Sequence, residues 1–349
     1  MADGSRHSLY AVKEATYGVT PNNPALDLVR ITGTTLGLTK DPLESEEIRS
    51  DRQIADFRLG ANQIGGDINF ELSYGSFDQF LQGVMLSNDW TAPADTGVAS
   101  LGATASGYDR VAGSFLTDGF LVGQMVGATG FVGAGYNGNS IITAVDALTM
   151  TTTPENGSHG VEAGSGDEQI IASEVVKCGT LRSSFSFIRH FADIAAIDKP
   201  YYIYKGVEQD SVSLTIAANK MITGVFKVFG QSLTTEQDLT SLGVPTYNAP
   251  SATTPLDSFT GSLEEGGVPV AVVTEITLNL VNGIEPRFVV GNKNSIDPTI
   301  KRSNLTGQVT AYFEDSTLVD KFINETESVQ ERFSSKASIS FDRCRRKPS

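Results

Sequence analysis

Cysteine is almost missing from this 349-residue chain, which carries only Cys178 and Cys344. Two cysteines so far apart make neither a disulfide framework nor a metal knuckle, and Cys178 reads as a buried thiol. The three histidines, His7, His159 and His190, share no metal-ligand spacing. No run approaches the roughly eighteen apolar residues of a membrane-spanning helix. The segment Met1-Ala2-Asp3-Gly4-Ser5-Arg6-His7 leads into no apolar core of signal-peptide length. The expectation is a soluble chain made in a reducing cytoplasm, in which the N-x-[ST] triplets at Asn156, Asn304 and Asn324 carry no weight. Basic residues are the minority, 26 Lys and Arg against 41 Asp and Glu, for a net charge of −15. That balance argues against a broadly basic surface for nucleic acid.

Catalytic groupings are missing too. The one Gly-x-Gly-x-x-Gly match, Gly133-Ala134-Gly135-Tyr136-Asn137-Gly138, is followed by Ile141-Ile142-Thr143-Ala144-Val145. A dinucleotide loop needs a helix N-terminus there, so the match reads as a turn before a strand. Glu44, Glu46 and Glu47 form a carboxylate cluster, but acid/base pairs are held apart so that their pKa values diverge. These glutamates alternate with Arg49, Arg52 and Arg58, as on a solvated or interface loop.

What the chain does have is 35 glycines with many Thr, Ser and Val, which favours short strands and tight turns. The clearest unit begins with a strand at residues 30–39 and passes through a charged excursion, residues 40–62. Then Ile68, Phe70, Leu72 and Tyr74 alternate as on a half-buried strand. Ser76 is a candidate N-cap for a short helix carrying Phe77, Phe80, Leu81, Val84 and Met85 on one face. The order recurs later: alternating residues 274–280, a polar excursion to Ser303, a strand with Leu305, Val309, Ala311 and Phe313, then Ser316 or Thr317 capping Leu318, Val319, Phe322 and Ile323. Thr34 to Gly66 spans 32 positions and Thr274 to Gly307 spans 33, so an internal duplication is favoured over coincidence.

Residues 1–29 read as an N-terminal arm, because Pro21-Asn22-Asn23-Pro24 interrupts regular structure. Residues 96–174 differ in composition, with eight acidic residues, one basic residue (Arg110) and 15 glycines. Strands are expected there at 120–125, 141–145 and 148–152, which makes an inserted all-β module. The main body spans 30–95 and 175–330, and residues 331–349 form a basic tail with room for one short strand.

Several phrases resemble the tail tube proteins of long-tailed, siphovirus-type bacteriophages. They are Glu44-Ser45-Glu46-Glu47-Ile48-Arg49-Ser50-Asp51-Arg52-Gln53, Gly65-Gly66-Asp67-Ile68, Ser73-Tyr74-Gly75-Ser76-Phe77, Tyr201-Tyr202-Ile203-Tyr204-Lys205-Gly206, Ser258-Phe259-Thr260-Gly261-Ser262-Leu263 and Tyr312-Phe313-Glu314-Asp315. The resemblance implies a mainly β, tail-tube-type sandwich or barrel with short flanking helices and an inserted small all-β domain. It implies a structural virion protein without enzymatic activity or cofactor. Its subunits form hexameric rings that stack into a tube for genome delivery. Implied partners are further copies of the chain, tape measure proteins and tail-tip or terminator proteins, with DNA passing through the lumen unbound.

The excursion also carries Leu43, Ile48, Ile54, Phe57 and Leu59, too many apolar groups for a purely solvated loop. The candidate inter-ring residues are therefore Glu44, Glu46, Glu47, Ile48, Arg49, Asp51, Arg52, Asp56, Phe57 and Arg58. A competing reading is a β-rich surface protein whose insertion binds a glycan or host receptor. Aromatics clustered on an exposed face, from Tyr108, Phe115, Phe120, Phe131 and Tyr136, would favour it. A hydrolase on a β scaffold is a third class, and it lacks a catalytic grouping.

Overall fold

The computed structural model describes residues 6–54, 56–87, 90, 93–154, 159–174, 176–259, 262–265, 268–269, 273–312, 320, 323–324, 331–334 and 338–340. The fold is mainly β, organised around one long strand, Tyr201–Ala217. Its first part pairs with Phe185–Phe191 on one side and Ser232–Glu236 on the other. Its second part changes partners, to Thr223–Gly230 and Val273–Val281. The changeover falls at Gly206, whose φ of 64° suits glycine, and at a register shift between Gln209 and Ser211. One strand thereby serves two layers.

The first layer continues from Phe185–Phe191 through His7–Lys13 and Ala25–Leu28 to Thr246–Asn248. The second runs from Thr223–Gly230 through Phe57–Glu71 to Gly33–Thr34 and Gly37–Glu44, and at its other edge from Val273–Val281 to Asn304–Ala311. Alternation sends Ile64, Ile68, Phe70, Val212, Leu214, Ile216, Phe226, Val228, Ile276 and Leu280 from the second layer into a core shared with Leu9, Ala11, Phe185, Phe187 and Val207 of the first. The helix Asp78–Val84 closes this core with Phe77, Phe80 and Val84. The Phe80 ring lies 5.4 Å from Phe185 and 5.8 Å from Phe226, so one side chain joins both layers.

Several expectations need correction. Residues 7–28 are not an arm: Leu9 and Ala11 are core positions, and His7–Lys13 pairs along its whole length with Phe185–Phe191. The alternation of Leu9 and Ala11 with Tyr10 and Val12 carried that signal, but the prolines after it obscured it. Ser76 does not cap the helix; the N-cap is Phe77, without a side-chain bond, and Ser76 Oγ meets Ser73 Oγ at 2.7 Å. Glu331–Ser334 and Ser338–Ser340 form a hairpin on Ser262–Glu265, two strands where a tail with room for one was expected. Cys178 is half-buried and disulfide-bonded, not a buried free thiol, and Cys344 lies outside the described residues. In the second unit Ser316, Thr317, Leu318, Val319 and Phe322 also lie outside them, while Asp320 and Ile323 are helical.

The insertion holds a separate six-stranded sheet, in the order Gln169–Ala172, Met125–Thr129, Gly138–Val145, Thr149–Pro154, Gly107–Arg110, Leu101–Thr104. Residues 120–124 are turns, not strand, because Phe120 is drawn into a core with Phe115, Leu101, Val126, Ile142 and Ile170. Glu168, fully buried, fastens one corner. Its carboxylate accepts from Leu101 N at 3.2 Å, Ser165 N at 2.6 Å and Gly166 N at 2.9 Å.

Candidate assembly surfaces

Three surfaces stand out, and each follows from strand register. The first is the face of the second layer turned away from the core. Four rows cross it. Asp67, Lys227, Ser211, Val281 and Asn304 form one; Asn69, Val225, Ser213, Asn279 and Thr306 the next. Glu71, Thr223, Thr215, Thr277 and Gln308 follow, then Ala217, Glu275 and Thr310. Hydroxyls and amides predominate, and the charged groups are three carboxylates and one lysine. A depression of about 310 Å³ lies near Glu71, Lys220 and Glu275. The sequence signal for this face is the polar set Ser211, Ser213 and Thr215, which alternates with the apolar Val212, Leu214 and Ile216.

The second surface is the pair of edges of that layer. Among the described residues, Asn304–Ala311 bonds to Val273–Val281 alone, and Gly33–Thr34 and Gly37–Glu44 bond only to Phe57–Glu71. Each edge leaves backbone donors and acceptors free to accept another strand.

The third is the charged excursion. Much of it is strand rather than loop: Gly37–Glu44 and Phe57–Glu71 run on as a projecting hairpin, and Ser45 N donates to Asp56 O at 3.0 Å to close it. Residues 46–54 and Asp56 belong to the tip. Their side chains are exposed, Ile48 at 99%, as is Phe57 at the start of the returning strand, at 57%. Arg49 pairs with Asp51 at 3.1 Å and Arg58 with Asp56 at 2.9 Å, both within the hairpin. The Arg58 bond, then the Phe57 amide, hold the Asp56 carboxyl below its ordinary value. Glu44, Glu46, Glu47 and Arg52 have no ion partner among the described residues.

The second excursion folds toward the first. Glu285–Arg287 and Ile296–Thr299 make a short hairpin whose tip includes Phe288, Val289 and Val290, all exposed. Asn62 N donates to Lys293 O at 2.7 Å and Asn62 Nδ2 to Asn294 Oδ1 at 2.6 Å. Asp210 Oδ1 accepts from Ile284 N at 2.6 Å, and Asn282 Nδ2 donates to Val84 O at 2.6 Å at the end of the helix. Arg182 bridges Glu208 and Asp297. The base of this excursion is thus tied to the long strand and the helix.

Among the described residues the cysteine and histidines do not gather as a catalytic pair. Cys178 lies 3.9 Å from the Met85 sulfur, whereas His190 stacks on Tyr201 at 4.3 Å, so they do not form a pair. Among the described residues no three His, Cys, Asp or Glu side chains gather as metal ligands, and no helix is long and apolar enough to cross a membrane. In the insertion Tyr108, Phe115, Phe120 and Phe131 are buried and Tyr136 is half-buried. They make no exposed aromatic face.

No curated protein matches the chain. A family model described as phage tail tube protein matches residues 4–343, nearly the whole length. With its β-layered fold, the chain belongs to the phage tail tube protein family.

Proposed function

We propose that copies of this chain close into rings, hexameric as the family resemblance implies, and that the rings stack into a conduit for genome delivery. The observation that carries this reading is the polar sheet face bounded by two unpaired edges. Joining Asn304–Ala311 of one copy to Gly33–Thr34 and Gly37–Glu44 of the next satisfies both edges and makes the sheet continuous around a lumen. The polar face then lines that lumen, where Asp67, Glu71 and Glu275 outnumber Lys227. Such a wall offers phosphates little attraction, so DNA passes without being held.

The hairpin bearing Glu44, Glu46, Glu47, Ile48, Arg49, Asp51, Arg52, Asp56, Phe57 and Arg58 reaches the next ring. Its exposed Ile48 and Phe57 suit a surface that becomes buried on stacking. The insertion, spanning residues 96–174, stands outside the tube wall. Tape measure and tail-tip or terminator proteins complete the partner set, and synthesis takes place in the host cytoplasm. The role is structural rather than catalytic.

Negative-stain microscopy of purified protein, with sedimentation at several salt concentrations, tests the reading. Rings and tubes are expected. A strictly monomeric mass at high concentration overturns it.

A further inference from the structure

The two excursions carry opposite charge. Residues 40–62 contain six acidic and four basic side chains, a net −2. Residues 284–303 contain Glu285 and Asp297 against Arg287, Lys293, Lys301 and Arg302, a net +2. Within each, the local pairs remove some charges: Arg49 with Asp51, Arg58 with Asp56, Lys301 with Glu285. The charges left on the first are Asp41, Glu44, Glu46 and Glu47 against Lys40 and Arg52, with Glu44, Glu46 and Glu47 at its outer end. The surplus left on the second includes Lys293 and Arg302, both exposed and without an ion partner among the described residues.

Within one copy these surpluses do not meet. Asn62, at the hairpin base, is fixed against Lys293 and Asn294. Glu44 pairs with Phe57 in the ladder, five strand positions farther out, or roughly 17 Å at the usual rise per residue. Glu46 and Glu47 lie beyond it. Apolar groups show the same pattern. Ile48, Ile54 and Phe57 are exposed on the first excursion, and Phe288, Val289 and Val290 on the second, with Val290 fully so. The second tip is also held in shape, since Ser295 Oγ accepts from Arg287 N at 3.1 Å and Arg287 Nε donates to Asp297 O at 2.7 Å.

We infer that the tip of the second excursion, Phe288 to Lys293 with Arg302, is a seat for the charged hairpin of a neighbouring copy. The contact is heterologous, hairpin of one copy onto seat of the next, the type that propagates around a ring or along a tube. Apolar side chains supply the buried centre. Glu44, Glu46 and Glu47 against Lys293 and Arg302 supply register and exclude the like-charged alignment. This inference rests on the ring-and-tube reading above and names the surface that reading leaves open.

A charge swap tests it on the full-length chain. Glu46→Lys with Glu47→Lys, or Lys293→Glu with Arg302→Glu, should each reduce assembled mass at least tenfold, measured by sedimentation and by microscopy. The four substitutions together in one chain should restore assembly to within about twofold of the unsubstituted protein. Unchanged melting temperatures for all variants separate lost docking from lost folding. A further variant, Val290→Asp, should also block assembly while leaving the melting temperature unaltered. Normal assembly of both charge variants, or no recovery on combining them, overturns the seat while leaving the tube reading intact. Failure of the unsubstituted chain to assemble overturns both, and is distinguished by its occurring without any substitution.

Discussion

Gly206 donates its backbone N–H to Glu14 Oε1 at 2.9 Å, so a carboxylate just past the first strand secures the point where the long strand changes layers. The same carboxylate accepts from Ser184 Oγ at 2.7 Å, Ser186 Oγ at 2.6 Å and Gly18 N at 2.8 Å. Four donors converge on one buried acid. Glu14→Ala would leave them without an acceptor and should destabilise the subunit by roughly 3 kcal/mol. Denaturant unfolding of the unassembled subunit measures it, and Glu14→Gln should fall between, since its amide nitrogen faces two donors.

Truncation distinguishes a strand from an arm. Removing residues 1–6 should leave a cooperative unfolding transition, whereas removing residues 1–13 takes away the ladder to Phe185–Phe191 and the core groups Leu9 and Ala11. The longer deletion is expected to be insoluble or to lose its near-ultraviolet circular dichroism.

Phe80 is the one helical ring in contact with aromatic side chains of both layers. Phe80→Ala should cost about 3–5 kcal/mol through the cavity and the lost ring contacts. Phe80→Leu, closer in volume, should cost less. Denaturation midpoints at constant slope provide the comparison.

Acid should act first on the insertion. Burial alone would raise the Glu168 carboxyl, but hydrogen bonds from Ser165, Gly166 and Leu101 outweigh it and hold its pKa at about 2. A depressed carboxylate contributes stability that is full above its unfolded value of about 4.5 and is lost as pH falls toward 2. His159 acts higher. Burial against Tyr108, with Nε2 on Thr152 Oγ1 at 2.7 Å, keeps the ring below its ordinary pKa. The folded form therefore binds fewer protons than the unfolded one. Stability is full above pH ~6.5 and declines as pH falls through the folded value. Hydrogen exchange should show the Tyr108 region opening below pH 6 before the main core does. His159→Gln should remove that first step and Glu168→Gln the second.

Replacing residues 96–174 with a short Gly/Ser linker should leave a folded main body. The insertion has a separate sheet, and its buried side chains form a cluster distinct from that of the two layers. An insoluble product, together with an excised module that does not fold alone, would count against independent folding.

Much of this was legible because alternation and helical spacing are local signals. Ile68, Phe70, Leu72, Phe77, Phe80, Val84 and Ile276 all sit in the core where their spacing places them. What stayed hidden depends on distant pairing. Nothing near Tyr201 indicates that its strand runs on to Ala217 through a glycine at positive φ and then changes neighbours. The strands within the excursion after Thr39 are not visible in the sequence, because charged and apolar residues alternate irregularly there. A strand with solvent on both faces needs no apolar period, and Gly37–Glu44 is exposed along nearly all its length. For the candidate site, the charged residues were visible from composition. The pairing of Arg49 and Arg58 inside the hairpin was not, and it leaves the glutamates as the groups seeking a partner.

A strand held in common also governs how load is shared. Two sheets that meet only through side chains can shear past one another, since apolar contacts re-form after a small slip. Here the backbone of Tyr201–Ala217 crosses from one sheet to the other, so shear between them must stretch a covalent chain and open two hydrogen-bonded ladders at once. The two layers are stitched rather than glued, so a ladder must unravel before they can slide.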